Sequence, residues 1–233
     1  VQNRYRTAGA LTLLPMLEGE PAIDRTAAHI RVEGIFAGPE GRQETSREFT
    51  VIADPAMKAA ARGTAISWNR PHTLSNGIYG ERYRVTLLDI ENDTIAWDAA
   101  ALVDTDCYRV ELSTETGWRE AEGGDSEPLG ALGLSLSLRI TRRTVTVEVT
   151  PSRMDGTVLR PDDRFRFALT GPSGGYPLTV GPEGSLILPA SGGLVAGTVG
   201  EFELPADRTA VLCLPMGSRY TLTERSVRPG VQG

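Results

Sequence analysis

Lys58 is the only lysine among 24 basic residues, so chemistry that runs through a side-chain amine, a Schiff base or an intramolecular amide link, has one candidate nucleophile. Such a link needs a desolvated amine beside an acyl partner, and Asp89 and Asn92 are the partners offered in the same half of the chain. Lys58 stands in an alanine-rich stretch that reads as an exposed helix, so no cross-link is expected there. In "DIEND" the carboxylates Asp89, Glu91 and Asp93 alternate, a spacing by which a tight loop aims oxygens at a divalent cation. The stretch lacks the glycine and the distal glutamate of an EF-hand loop, and a solvated turn with no metal is the expectation. "DTD" (Asp104 to Asp106) and "RPDDR" (Arg160 to Arg164) are weaker cation candidates.

His29 and His72 accompany no nucleophile motif, and no Gly-x-Ser-x-Gly occurs, so no catalytic residue and no cofactor are expected. The Gly-rich run from Gly171 to Gly197 has neither the Gly-Lys-Ser/Thr of a phosphate loop nor a strand-to-helix context. Trp68, Trp97 and Trp118 lie in the first half; Trp68 and Trp97 are candidate platforms for a glycan, while core packing is the commoner fate of tryptophan in a β sandwich. Cys107 and Cys213 are far apart in unlike contexts, which excludes metal-knuckle and redox spacings; both read as small buried residues, with a single disulfide left open.

The elements that would position these residues are strands. "TVTVEVT" (Thr144 to Thr150) and "RFRFALT" (Arg164 to Thr170) alternate with period two, as do "YRVTLLDI", "YRVELST" and "YTLTE", and this predicts strands with one face buried. "GPEG" twice, "GPSGG", "SGG" and "EGG" punctuate them with turns. Many short strands between Gly/Pro corners predict an all-β sandwich or partly open barrel rather than alternating βα units. The best helix candidate is "DPAMKAAAR" (Asp54 to Arg62), with Asp54 as cap, Pro55 at the first helical position and Gly63 as the stop. "IAWDAAALVD" (Ile95 to Asp104) is open between a second short helix and a strand.

The formal charge of -6 argues against nucleic acid, which requires a basic face to displace counterions. No apolar run approaches the roughly 20 residues that span a bilayer, so no membrane contact is expected within the chain. The start at Val1 without a charged-then-apolar leader reads as a piece of something longer. At 233 residues the chain is long enough for one large domain or two of ordinary size, and patterning lapses between Thr116 and Gly133. The expected division is residues 1–128 and 129–233, although "LSLSLRI" (Leu134 to Ile140) can close the first domain or open the second.

The two halves answer one another. "YGERYRVTLLD" (Tyr79 to Asp89) matches "MGSRYTLTERS" (Met216 to Ser226) in Gly, one residue, Arg-Tyr and an alternating strand. More loosely, "ALTLLPMLEGEP" (Ala10 to Pro21) and "VEVTPSRMDG" (Val147 to Gly156) both run an apolar strand into a proline and then a glycine. The second half also holds Phe165 and Phe167, then Phe202 and Leu204, then Leu214, Pro215, Gly217, Tyr220 and Glu224 in order. In that order and spacing it resembles the Cna-B-like and pilin isopeptide-linkage β-modules of Gram-positive surface proteins. The resemblance covers about the last 90 residues, and Leu11 to Asp89 more loosely. In that family Glu224 would support an amide bond between a lysine on the first strand and an acyl side chain on the last. The lysine would fall at or near Pro15 and Pro151, and proline has no amine, so the resemblance implies the architecture without its cross-link.

The resemblance implies two tandem Ig-like or Cna-B-like β sandwiches in a non-enzymatic, extracellular, cell-wall-attached pilin or adhesin stalk, and the composition permits it. The expected partners are other domains of the same surface protein. A binding module for glycan or host protein built on the first half is the alternative, and an accessory domain of a secreted carbohydrate-active enzyme is a further one.

Overall fold

The computed structural model describes residues 9–19, 26–37, 43–54, 64–75, 77–92, 102–122, 124–152, 158–171, 174–175, 179–180, 186–187, 200–217 and 220–228. The chain divides into two compact units, Val1–Glu18 with Ile23–Arg142, and Gly19–Ala22 with Arg143–Gly233. Both are built from strands, as the period-two patterning predicts; the helix expected near 55–62 lies outside the described residues. Of the open stretch Ile95 to Asp104, Leu102–Val103 is strand, followed by a 3-10 turn at Thr105–Cys107.

The first unit holds β1 (Leu11–Glu18), β2 (Thr26–Ala37), β3 (Gln43–Ala53), β4 (Thr64–Ile66) and β5 (His72–Leu74). It continues with β6 (Arg82–Asn92), β7 (Leu102–Val103), β8 (Tyr108–Thr114), β9 (Gly117–Glu120) and β10 (Leu134–Arg142). One sheet runs β5-β1-β10-β8-β9 and the other β4-β3-β2-β6-β7. Alternation decides which faces are buried. Leu11, Leu13 and Leu17 of β1 and Leu136, Leu138 and Ile140 of β10 go inward on the first sheet; Ala28, Ile30 and Val32 of β2 and Tyr83, Val85 and Ile90 of β6 go inward on the second. Each fully buried aliphatic side chain contributes about 1.5–3 kcal/mol against exposure.

β1 and β10 pair in parallel through eight residues, from Leu11 opposite Leu134 to Glu18 opposite Thr141. This pairing settles "LSLSLRI": it closes the first unit, and the division falls after Arg142 rather than near Pro128. Two glycines permit the approach. A Cβ on Gly9 would stand 2.2 Å from the Gly133 nitrogen, and Gly133, at φ +101°, has the Ala10 carbonyl 2.7 Å from its own Cβ position. Pro15 sits inside β1 without breaking the ladder. Its carbonyl accepts from the Asn69 N–H at 2.8 Å, and in a strand a residue's N–H and C=O point the same way, so the missing donor faces away from β10.

The second unit holds β11 (Thr144–Val149), β12 (Arg164–Gly171), β13 (Gly174–Gly175) and β14 (Thr179–Val180). β15 (Leu186–Ile187), β16 (Gly200–Pro205), β17 (Ala210–Pro215) and β18 (Thr221–Arg228) complete it. Its sheets run β11-β17-β15-β14 and β13-β12-β16, with β18 on the other side of β12. The core joins both sheets: Val149, Phe165, Phe167, Leu169, Phe202, Leu204, Ala210, Leu212 and Leu214, with Phe167 and Phe202 stacked at 5.4 Å. β11 is less buried than its alternation predicts. Among the described residues it pairs only with β17, and Val145 and Val147 stay 43% and 39% exposed.

The sequence repeat is a structural repeat. Gly80 and Gly217, three residues before Tyr83 and Tyr220, take φ of +85° and +73°, the left-handed turn that glycine allows. β6 then pairs antiparallel with β2, and β18 with β12. Both pairings are broken by one extra residue at the same place, Leu88 and Arg225, each five past the tyrosine (83 to 88, 220 to 225). β3-β2-β6 and β16-β12-β18 are therefore the same three-stranded piece used twice.

Candidate functional site

The carboxylates of "DIEND" do not form a loop: Asp89 and Glu91 are in β6, which runs to Asn92, and Asp93 lies outside the described residues. The bulge at Leu88 decides their direction. Leu87 and Ile90 keep to the inner face, and Asp89 and Glu91 turn outward, where Asp89 is in register with His29 of β2. His29 Nδ1 stands 3.1 Å from Asp89 Oδ1, and Nε2 stands 3.8 Å from Glu91 Oε1. One ligand atom from each of the three lies within 4.8 Å of the others. Asp89 Oδ1 is sealed from solvent and accepts no hydrogen bond among the described residues. Sequence reasoning found the two acids and missed the histidine, because 60 residues separate His29 from Asp89 and only the pairing of β2 with β6 joins them (89 − 29).

A second cluster centres on a buried carboxylate. Glu81, with no exposed surface, accepts from Arg47 Nε at 3.0 Å and Nη2 at 2.8 Å, from the Tyr83 hydroxyl at 2.7 Å and from the Ile78 N–H at 3.2 Å. Arg47 Nη2 also donates to the Tyr83 hydroxyl, with its guanidinium 5.4 Å from the ring centre. Burial, and then the Glu81 carboxylate, push the Tyr83 phenol well above its ordinary value, against the opposing pull of Arg47. This arrangement is saturated with partners and leaves no group to receive a substrate. Likewise buried Arg142 donates to the Tyr108 hydroxyl and stacks on its ring at 4.7 Å. Beside them Cys107 is a free, buried thiol, pushed up by burial against the pull of Arg142.

The remaining sequence candidates do not converge. Trp68 is a core residue, 6% exposed, with its indole N–H donated to the Thr26 carbonyl at 2.8 Å, so it presents no face to a glycan. Trp97 and Lys58 lie outside the described residues. Trp118 is 38% exposed, but Arg139 covers one face at 4.2 Å while paired to Glu111. His72 is a half-buried member of β5. "DTD" is a capped 3-10 turn in which Asp104 accepts from the Asp106 N–H, and in "RPDDR" the buried Asp163 accepts from the Arg160 N–H to close the turn into β12.

Tyr220 packs on the second core and donates its hydroxyl to the Pro215 carbonyl at 2.7 Å, closing the Leu-Pro-Met-Gly turn. Leu222 is 39% exposed, and Glu224 is an exposed residue opposite Phe167. Tyr220 is thus the anchor, and Thr221 to Arg225 after it are exposed.

No family model matches the chain, and no curated protein matches it. Among solved structures it is similar to the T-13 major pilin of Streptococcus pyogenes, at 14% identity and a TM-score of 0.38, over 95% of this chain and 83% of that one. It is similar to a second Streptococcus pyogenes major pilin at 14% identity and 0.38, over 94% and 83%. At that TM-score the likeness is loose and transfers neither function nor site residues. Among the described residues no helix is long and apolar enough to cross a membrane.

Proposed function

We propose that the chain is a non-enzymatic, force-bearing segment of an extracellular surface protein, a pilin- or stalk-like module whose partners are other domains of the same protein. The parallel pairing of β1 with β10 carries this reading. Tension arriving at the start of β1 and leaving at the end of β10 pulls two parallel strands past one another. All eight residue pairs, Leu11↔Leu134 to Glu18↔Thr141, are then loaded together in shear. Unzipping would load them one at a time. A ligand-binding domain has no need of that load path, whereas a stalk depends on it.

Single-molecule pulling tests the reading by changing geometry alone. With handles ahead of Leu11 and after Arg142, the first unit is expected to yield in one high-force rupture. With the second handle moved to the exposed Leu132, beside the start of β10, the same ladder is peeled and the force should fall several-fold. Equal forces in the two geometries, or low force in both, overturn the proposal.

A further inference from the structure

The outer face of β2 and β6 gathers one imidazole and two carboxylates at the bulge of the first unit, and we propose that His29, Asp89 and Glu91 bind a divalent transition metal of the Zn²⁺ class as a cross-strand staple. Three observations support it. The donors are one nitrogen and two oxygens, all within 4.8 Å, a spread that rotamer adjustment brings to the ligand separations of a metal bound at about 2.0–2.2 Å. The set is mixed: imidazole with carboxylate suits Zn²⁺, Ni²⁺ or Cu²⁺, and the hard cation Ca²⁺ favours oxygen alone. Asp89 Oδ1 is buried, has no hydrogen-bond partner among the described residues and stands 3.1 Å from His29 Nδ1, so an anionic oxygen and an imidazole nitrogen already sit close to the separation of two ligands on one metal.

The backbone explains why the three meet. The pairing of β2 with β6 sets Asp89 directly opposite His29, and the extra residue at Leu88 lets Asp89 face outward while Leu87 and Ile90 keep to the inner face. Glu91, two residues on, shares the face by alternation. The second copy of the three-stranded piece has Arg166 where the first has His29 and Ser226 where it has Asp89, so the ligand set belongs to the first unit alone. Three protein ligands leave at least one position to water. A metal that binds the paired strands and not the unfolded chain stabilises the fold by an amount that grows with the logarithm of its free concentration over Kd, and so raises the melting temperature.

The test is isothermal titration of the full chain at pH 7.5 with Zn²⁺, in parallel with thermal melts and with Co²⁺ absorption as a report of nitrogen and oxygen ligation. One equivalent of Zn²⁺ should bind and raise the melting temperature, and excess Ca²⁺ should not displace it. His29→Ala and, separately, Glu91→Gln should each weaken binding at least ten-fold and abolish the metal-dependent shift. Glu91 is exposed, so Glu91→Gln folds even if His29→Ala does not. Absence of binding, binding indifferent to both substitutions, or displacement by Ca²⁺ overturns the assignment.

Discussion

The guanidinium of Arg47 spans both oxygens of Glu81, Nε at 3.0 Å from Oε1 and Nη2 at 2.8 Å from Oε2, on a carboxylate with no solvent contact. The bidentate geometry fixes β3 and the turn before β6 to each other, 34 residues apart. Such a pair is costly to break from one side, because the survivor remains charged in a low-dielectric interior.

Arg47→Met is therefore expected to cost about 3 kcal/mol, toward the low end for broken buried pairs because Arg47 keeps some solvent contact. Arg47→Met combined with Glu81→Leu should recover much of that loss, since the uncompensated charge has gone. Urea unfolding of the three proteins measures it. A double variant no more stable than the single one would show that packing, not charge, sets the cost.

Gly133 and Gly117 both hold φ in the range glycine favours, yet their surroundings differ. A Cβ on Gly133 meets the Ala10 carbonyl at 2.7 Å, in backbone that cannot yield, while one on Gly117 meets nothing within 4 Å. Gly117→Ala should cost about 1 kcal/mol of backbone strain alone, and Gly133→Ala about 2–3 kcal/mol because β1 and β10 must also separate. Equal losses in thermal melts would refute the idea that this close approach seats the parallel pair.

Alkaline pH should weaken the fold through Tyr83 and Cys107. Both groups hold their protons more tightly when folded, so their contribution is complete below the unfolded values and drains away as pH rises toward the folded ones. The ordinary values are 9.0 for the thiol and 10.0 for the phenol, so the decline begins near pH 9 and steepens past pH 10. Tyr83→Phe should be about 1–2 kcal/mol less stable at pH 7, having lost its bond to Glu81, but fall less steeply between pH 10 and 11. Parallel stability curves for the two proteins would exclude Tyr83 as the titrating group.

What was legible in the sequence was whatever depends on neighbours in the chain. The alternation of "RFRFALT" and "YRVTLLDI" marks strands, and the shared Gly-x-Arg-Tyr marks a repeat whose glycines, Gly80 and Gly217, both take positive φ. The long-range pairings were not legible. Nothing local in "LSLSLRI" says that it lies beside Leu11–Glu18, which is why the boundary moved, and nothing near Asp89 points to His29. Exposure also escaped. Val145 and Leu222 alternate as core residues do, but alternation reports a strand's two faces and is silent on whether another sheet covers either.

Leu88 gives the sharpest test of the repeated bulge. It is the residue with no partner in β2, and it is 37% exposed. Deleting it converts the bulge into a regular ladder in which Leu87 still faces Ile30 and Asp89 still faces His29, so every inward side chain keeps its face. Deleting Val85 instead leaves Thr86 to fill an inward place, with Leu87 turned outward until the bulge restores the alternation. The Leu88 deletion is expected to cost no more than about 1–2 kcal/mol, and the Val85 deletion about 3 kcal/mol or more, the sum of a lost core valine and a buried hydroxyl. Unfolding curves of the two deletions compare them directly. If removing Leu88 is the more damaging, the bulge is holding the strand in place and is not a spare residue that the pairing passes over.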